Sequence, residues 1–437
     1  MRIWIAILSF CTAALAHAGL PIQNWQLPNG AQVYFVESHD LPMLDVSVDF
    51  PAGSAFDPEA KAGLASLTHR MLDQGAGGMT DNQIASGFAD VGAQLGGRFD
   101  ADRAGVVLRT LSSPAEQRAS LALLVRVLSQ PTFSAPIVAR EKTRVIAALK
   151  ESEGQPASLA MNAFQHAVFL KHPYAHRETG EIDTVKTLSA KDLVTFYRSH
   201  YSAPGAVVAL MGDITRAQAD VIARQLTDAL PAAKLAATAV IPPVPTLSEG
   251  VMRTIPFPAK QSQILIGQPG VARGAPDYYA LYVGNYILGG GGFDSRLMND
   301  VRQKRGLAYS VYSYFMPMRE AGAFQIGLQT RADQTEEALK VVRQTLGDFV
   351  NKGVTEDELT QAKNNIIGGF PLRIDSNKEI LEYLAVIGFY HLPLSYLDDF
   401  PRHVAEVTAA QIQAAFARHI YPDKMVTIVV GDAVAGK

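Results

Sequence analysis

The sequence predicts an α+β protein of two homologous domains, each a largely antiparallel sheet packed with helices. Three observations carry this prediction. A stretch of the first half recurs in register in the second, and short alternating apolar runs are interleaved with amphipathic helical stretches. A proline-rich segment separates the two copies. Strand and helix order is mixed and several strands are hairpin-spaced, which favours antiparallel pairing over a doubly wound parallel sheet. At 437 residues, with 48% apolar side chains, the chain can bury a core in each of two or three domains.

The first 18 residues stand apart. Arg2 is the one early charge, Trp4 to Leu15 is mostly apolar, and Ala16-His17-Ala18 is a small-x-small cleavage site, the pattern of a secretory signal peptide. The apolar run is shorter than the roughly 20 residues a membrane span needs. The reading is export across a bacterial inner membrane, with a periplasmic chain starting near Gly19. Cys11, the one cysteine, falls inside this segment. The exported chain would have no disulfide, no thiol nucleophile and no Cys ligand for a metal.

Beyond the leader, Gln32 to Glu37, Leu44 to Phe50, Gly105 to Leu111 and Val207 to Met211 alternate as strands. Gly63 to Gln74, Asp81 to Val91, Pro114 to Leu128, Pro136 to Ser152 and Ala190 to His200 have helical periodicity. The repeat is clearest late in each half. Leu188, His200, Gly212 and Asp213 return as Val407, His419, Gly431 and Asp432 at one constant spacing of 219 residues, and chance would not keep that register. A looser match links Ser134 to Lys142 with Thr355 to Lys363, each opening an amphipathic helix at an N-cap-type residue. Between the copies, Pro231, Pro242, Pro243 and Pro245 stiffen an extended linker. The predicted domains are 19–230 and 251–437, joined by a linker over 231–250.

A net charge of -3 gives no basic footprint with which to displace counterions from phosphates, so nucleic acid is excluded as the expected partner. The chemistry-bearing positions begin with Gly63-Leu64-Ala65-Ser66-Leu67-Thr68-His69-Arg70-Met71-Leu72, followed by Gly75. This helix resembles the zinc-motif helix of the pitrilysin and insulinase-like inverzincins, where two His four apart ligate zinc and a Glu beside the second activates the bound water. Laid on that pattern, the first ligand is Ser66, the base is His69 and the second ligand is Arg70. The remaining ligand, a Glu on a later helix, is Ala148, while Glu141 keeps the Glu that precedes it by seven residues. Shifting the register by one does not rebuild the site. His172 and His176 are four apart, but Pro173 between them breaks the helix that would align them, and Lys171-His172-Pro173-Tyr174 resembles a family loop. His200 and His419 read as structural residues capping a helix.

In the second half, the run Gly289-Gly290-Gly291-Gly292-Phe293 lacks the Gly-Lys-Ser/Thr ending of a phosphate loop. The segment Arg302 to Ser310, with Arg305-Gly306-Leu307-Ala308-Tyr309, resembles the C-terminal half of pitrilysin-like enzymes. There an Arg and a Tyr seven apart reach toward the zinc of the catalytic half; Arg302 and Tyr309 match them. A guanidinium and a phenol suit the negative charge that builds on a peptide carbonyl oxygen under attack. Arg296 and Arg305 nearby have no assigned role. Gly96-Gly97-Arg98-Phe99-Asp100-Ala101 keeps the frame of the family's substrate-binding edge strand but not its polar details.

The resemblance covers nearly the whole exported chain and implies a clamshell of two peptidase-like domains. It also implies a division of labour: a non-catalytic subunit with no cofactor of its own, donating Arg302 and Tyr309 to the zinc site of a homologous partner chain, in a heterodimer acting on peptides or unfolded proteins. The alternative is a periplasmic peptide-binding or structural scaffold with no peptidase partner. A homodimer with an unrelated metal site is the third, weaker reading.

Overall fold

The computed structural model describes residues 20–232 and 240–432; the expected leader, 1–18, lies outside them. Strands are β1 (Gln23–Gln26), β2 (Gln32–Glu37), β3 (Met43–Phe50), β4 (Gln94–Phe99), β5 (Ala104–Leu111) and β6 (Val207–Gly212), then β7 (Val251–Pro256), β8 (Gln261–Pro269), β9 (Ala308–Phe315), β10 (Ala323–Arg331) and β11 (Val426–Gly431). The first six form one sheet in the order β1-β2-β6-β3-β5-β4, and the last five form another in the order β7-β11-β8-β10-β9. Leaving out β1, the two orders are the same sheet written twice. Each has one parallel pair, β2 with β6 and β7 with β11, among antiparallel neighbours.

Helices of the first half are α1 (Leu64–Arg70), α2 (Asp81–Asp90), α3 (Pro114–Ser129), α4 (Ala135–Ser152), α5 (Pro156–Phe169), α6 (Ile182–Thr187), α7 (Ala190–His200) and α8 (Arg216–Thr227). The second half has α9 (Tyr278–Asn285), α10 (Thr335–Lys352), α11 (Glu356–Gly369), α12 (Asn377–Phe389), α13 (Tyr396–Glu406) and α14 (Ala409–His419). The zinc-motif helix is shorter than its apolar pattern suggests. It ends at Arg70 with Met71 at the C-cap, and Gly75, Gly77 and Gly78, all at positive φ, then turn the chain. Capping explains several starts. Thr80, Ser189, Thr215, Thr355 and Thr408 each close a reciprocal capping box. Ser134 stands at the N-cap of α4 without a side-chain bond, whereas its repeat counterpart Thr355 makes one.

Each sheet buries one face against helices of its own half. On the first, Val46, Val48, Leu108 and Leu210 pack with Leu67, Leu124 and Phe196. The opposite faces are covered by exchange. Helix α5 of the first half lies on β8 and β11 of the second sheet, and α12 of the second half lies on β2, β3 and β6 of the first. Phe164 of α5 shares a core with Leu265, Val426 and Ile428. Gly388 of α12 comes so close that an added Cβ would stand 2.6 Å from Val207 and 2.7 Å from Tyr34. Burying a side chain such as Phe164 stabilises by roughly 1.5–3 kcal/mol, so the exchange ties the halves strongly.

A polar clasp reinforces this apolar tie. Asp102, in the β4–β5 turn, is fully buried. It accepts hydrogen bonds from the Tyr174 hydroxyl at 2.5 Å, the Arg319 backbone N–H at 2.7 Å and the Tyr390 hydroxyl at 2.8 Å. Arg319 and Tyr390 come from the second half, so one carboxylate holds three donors drawn from both. Within the described part of the expected linker, Ile241 is buried against the α5 core, and the Pro242 carbonyl accepts from His172.

Candidate functional site

Helix α1 begins at Gly63, whose φ of +94° is left-handed. A Cβ there would also stand 2.7 Å from the Thr179 carbonyl oxygen. Glycine brings no capping side chain, and Asp57 supplies it: its carboxylate accepts from the N–H of Gly63 and of Ala65, both at 2.7 Å. A carboxylate suits the positive end of a helix. Burial pushes its pKa up to about 7, against the pull of these backbone donors.

From this helix Ser66, His69 and Arg70 line a cleft of about 400 Å³, together with Asp73, Gln74 and the Gly96, Gly97 and Phe99 of β4. The resemblance expected an edge strand here, and β4 is the edge of its sheet. The cleft's chemistry is not that of a zinc centre. The Nε2–H of His69 donates to the Gly105 carbonyl at 2.8 Å, and its ring lies 5.6 Å from that of Phe99. Gly97 passes beneath that ring so closely that a Cβ would stand 2.7 Å from it. Burial lowers the pKa of His69, which keeps the ring neutral.

Arg70 is half exposed and stands 4.0 Å from the buried carboxylate of Glu141, which also pairs with Arg140 at 3.0 Å and Arg144 at 2.8 Å. Glu141 is thus engaged by three guanidiniums. Ala148, two turns further along α4, offers an exposed methyl group. A zinc centre of the inverzincin pattern needs two neutral imidazoles and a carboxylate. A hydroxyl, a permanently charged guanidinium and a methyl in the ligand positions do not fit it. Among the described residues no three His, Cys, Asp or Glu side chains gather as a metal cluster.

His172, His200 and His419 serve the fold. The Nε2–H of His172 donates to Pro242 at 2.7 Å, while its Nδ1 accepts from the Tyr174 N–H at 3.1 Å. His200 and His419 were expected to cap helices, and the structure corrects this. Each occupies the last turn of its helix, but its ring reaches away to another segment. The Nδ1–H of His200 donates to the Pro51 carbonyl at 3.0 Å, and Nε2 of His419 bonds Asp277 at 2.8 Å. They are tethers, not caps.

The second half presents a different arrangement. After α9 the chain winds into a π-helical turn, Tyr286–Gly290, and reverses at Gly292 with φ +62°. It then enters a second π-helical turn, Met298–Gln303, which carries Arg302. Strand β9 follows, at the edge of the second sheet. Its register against β10 slips between Leu328 and Thr330, so Tyr309 and Ser310 together stand where one residue would. This bulge lets Ala308 and Val311 both face the core and turns Tyr309 outward, 83% exposed. The Arg302 guanidinium lies 4.7 Å from the Tyr309 ring centre and 4.8 Å from that of Phe293.

The two unassigned arginines have structural partners. Arg296 makes a bidentate pair with Glu358, both bonds 2.6 Å, and Arg305 donates to the Asp300 carbonyl at 2.7 Å. Phe293, Asp57 and the Asp102 clasp were not singled out in the sequence. Only the bulge had a visible trace there, in the broken alternation of Ala308-Tyr309-Ser310-Val311.

Fold and site together define a two-domain, peptidase-like clamshell whose metal-binding positions have been replaced. Comparison with known proteins agrees. Residues 187–366 match the family description "Peptidase M16 inactive domain", and residues 33–178 match "Insulinase (Peptidase family M16)". The crystal structure of a peptidase M16 inactive domain from Pseudomonas fluorescens is 39% identical, with a TM-score of 0.92 over 96% of this chain and 99% of that one. The chain belongs to peptidase family M16, with the zinc-ligand positions of that family replaced.

A non-peptidase homolog, YmxG, of Helicobacter pylori is 25% identical over 89% of this chain and 88% of its own length. An uncharacterized zinc protease of Streptomyces coelicolor is 28% identical over 67% of this chain, which spans only 64% of that relative. No helix among the described residues is long and apolar enough to cross a membrane.

Proposed function

We propose that this chain is the non-catalytic subunit of an exported two-chain zinc peptidase. In this reading a homologous partner chain holds the zinc, and the present chain lends it Arg302 and Tyr309. The observation that carries the reading is an asymmetry. The zinc positions of the first half are replaced at Ser66, His69, Arg70 and Ala148, while Arg302, on the turn before β9, stands beside Tyr309 on the bulged edge strand. No hydrogen bond or ion pair within the described residues uses the Arg302 side chain. A guanidinium and a phenol held side by side and facing out are suited to donate to the carbonyl oxygens of an extended peptide, one of which gains negative charge under attack. Fixed donors of this kind are worth roughly 10²–10³ in rate.

The test is reconstitution. The purified chain is mixed with a homologue bearing the intact zinc motif, and cleavage of a quenched fluorescent peptide is followed. Arg302→Ala should cut the pair's kcat/KM by about 10²-fold, with Tyr309→Phe a milder loss. Unchanged activity in Arg302→Ala rejects the shared site.

A second reading, a peptide-binding or structural scaffold in the periplasm with no peptidase partner, draws on the open cleft beside β4. The non-peptidase name of the Helicobacter pylori relative supports it as well. It predicts peptide binding by the isolated chain and no activity gained with any homologue.

A further inference from the structure

Phe293 is a large apolar side chain left in water, 62% exposed, on the single turn Gly292–Asp294. A ring so placed needs a reason, and its neighbour supplies one. The Arg302 guanidinium lies over it at 4.8 Å and over Tyr309 at 4.7 Å. The turn that carries Phe293 is itself tied to the turn that carries Arg302, because Gln303 donates from Nε2 to the Phe293 carbonyl at 2.9 Å. The two turns are therefore coupled twice, by the ring–guanidinium contact and by the Gln303 side chain on the Phe293 carbonyl.

We propose that Phe293 is a positioning residue that clamps Arg302 against Tyr309. The inference rests on the reading above, in which Arg302 and Tyr309 meet a peptide. An arginine side chain has many rotamers, and holding it in place beforehand spares the entropy that binding would otherwise cost. Two rings also shed water from the guanidinium without competing for its N–H groups, since an aromatic face attracts the cation but accepts none of its in-plane bonds. No hydrogen bond or ion pair among the described residues occupies the five donors, which leaves them for the planar oxygen acceptors of a peptide, its carbonyls or its terminal carboxylate.

Two measurements test the clamp. In the isolated full-length chain labelled with 15N-arginine, the Arg302 Nε–H resonance, assigned by its loss in Arg302→Lys, should be shifted upfield by the two rings. Phe293→Ala should remove much of that shift and Phe293→Tyr should keep it. In the reconstituted pair, Phe293→Ala should lower kcat/KM roughly two- to fivefold, the size of a partly exposed cation–π contact, and Phe293→Tyr should restore it. An Arg302 resonance indifferent to Phe293→Ala overturns the clamp, as does a wild-type rate in that variant while Arg302→Ala is inactive. If Arg302→Ala itself is fully active, it is the shared-site reading that fails.

Discussion

Removing the Asp102 carboxylate should loosen the two halves from each other. In Asp102→Ala the hydroxyls of Tyr174 and Tyr390 and the Arg319 N–H lose their acceptor inside a fully buried pocket. Each buried donor left without its acceptor costs roughly 1–3 kcal/mol, and part of that is offset because a buried polar group is removed with it. The expected net loss is about 3 kcal/mol.

Urea denaturation reads this directly. Trp25 is the only tryptophan beyond the expected leader and lies in the first half, so its fluorescence reports that half while far-UV circular dichroism reports both. In the wild type the two signals should fall together. In Asp102→Ala both midpoints should drop and the two curves should separate. Tyr174→Phe and Tyr390→Phe should each cost about 1 kcal/mol. A change below about 0.5 kcal/mol in Asp102→Ala, the range of an ordinary surface substitution, with coincident curves, would refute the clasp.

Other expectations follow from the same packing. Gly388→Val should destabilise the chain by about 1–3 kcal/mol through overpacking where α12 meets Val207 and Tyr34; an unchanged midpoint would mean that α12 does not sit tightly on the first sheet. His69 is held neutral by burial, its pKa below the usual 6.5. Its contribution is therefore present above pH 6.5 and lost as the pH falls through the folded value. The stability advantage of the wild type over His69→Gln should accordingly shrink between pH 7 and pH 5, and a gap that widens would contradict the burial of that ring.

Much of the architecture could be read from residue patterns, for identifiable reasons. Helices such as Pro114–Ser129 and Ala190–His200 have long amphipathic periods with clear starts, and strands such as β3 and β6 are strong apolar runs. The repeat exposed the doubled sheet because His200 with Gly212 and His419 with Gly431 hold matching places at the ends of a helix and a strand. The helix exchange could not be read. Neither α5 nor α12 is among the helices read from the sequence, and periodicity shows only that a helix has an apolar face, not whose sheet covers it. Strand β4 gave little signal of its own because Gly96 and Gly97 break its pattern, and it was expected only from the family frame.

At the candidate site, identity was legible and geometry was not. The replacement of zinc ligands by Ser66, Arg70 and Ala148 is a matter of residue type. That Arg70 of α1 joins Arg140 and Arg144 around Glu141 depends on how α1 packs beside α4, and that Phe293 and Tyr309 flank Arg302 depends on the turns and the bulge that bring them together.

The account turns on whether this chain can act alone. Zinc content by atomic absorption, measured with peptide cleavage on the purified chain after loading with zinc, addresses this most directly. The prediction is far less than one zinc per chain and no cleavage, with activity emerging only when a homologue carrying the intact motif is added. One tightly held zinc per chain, with cleavage that a chelator abolishes, would contradict it.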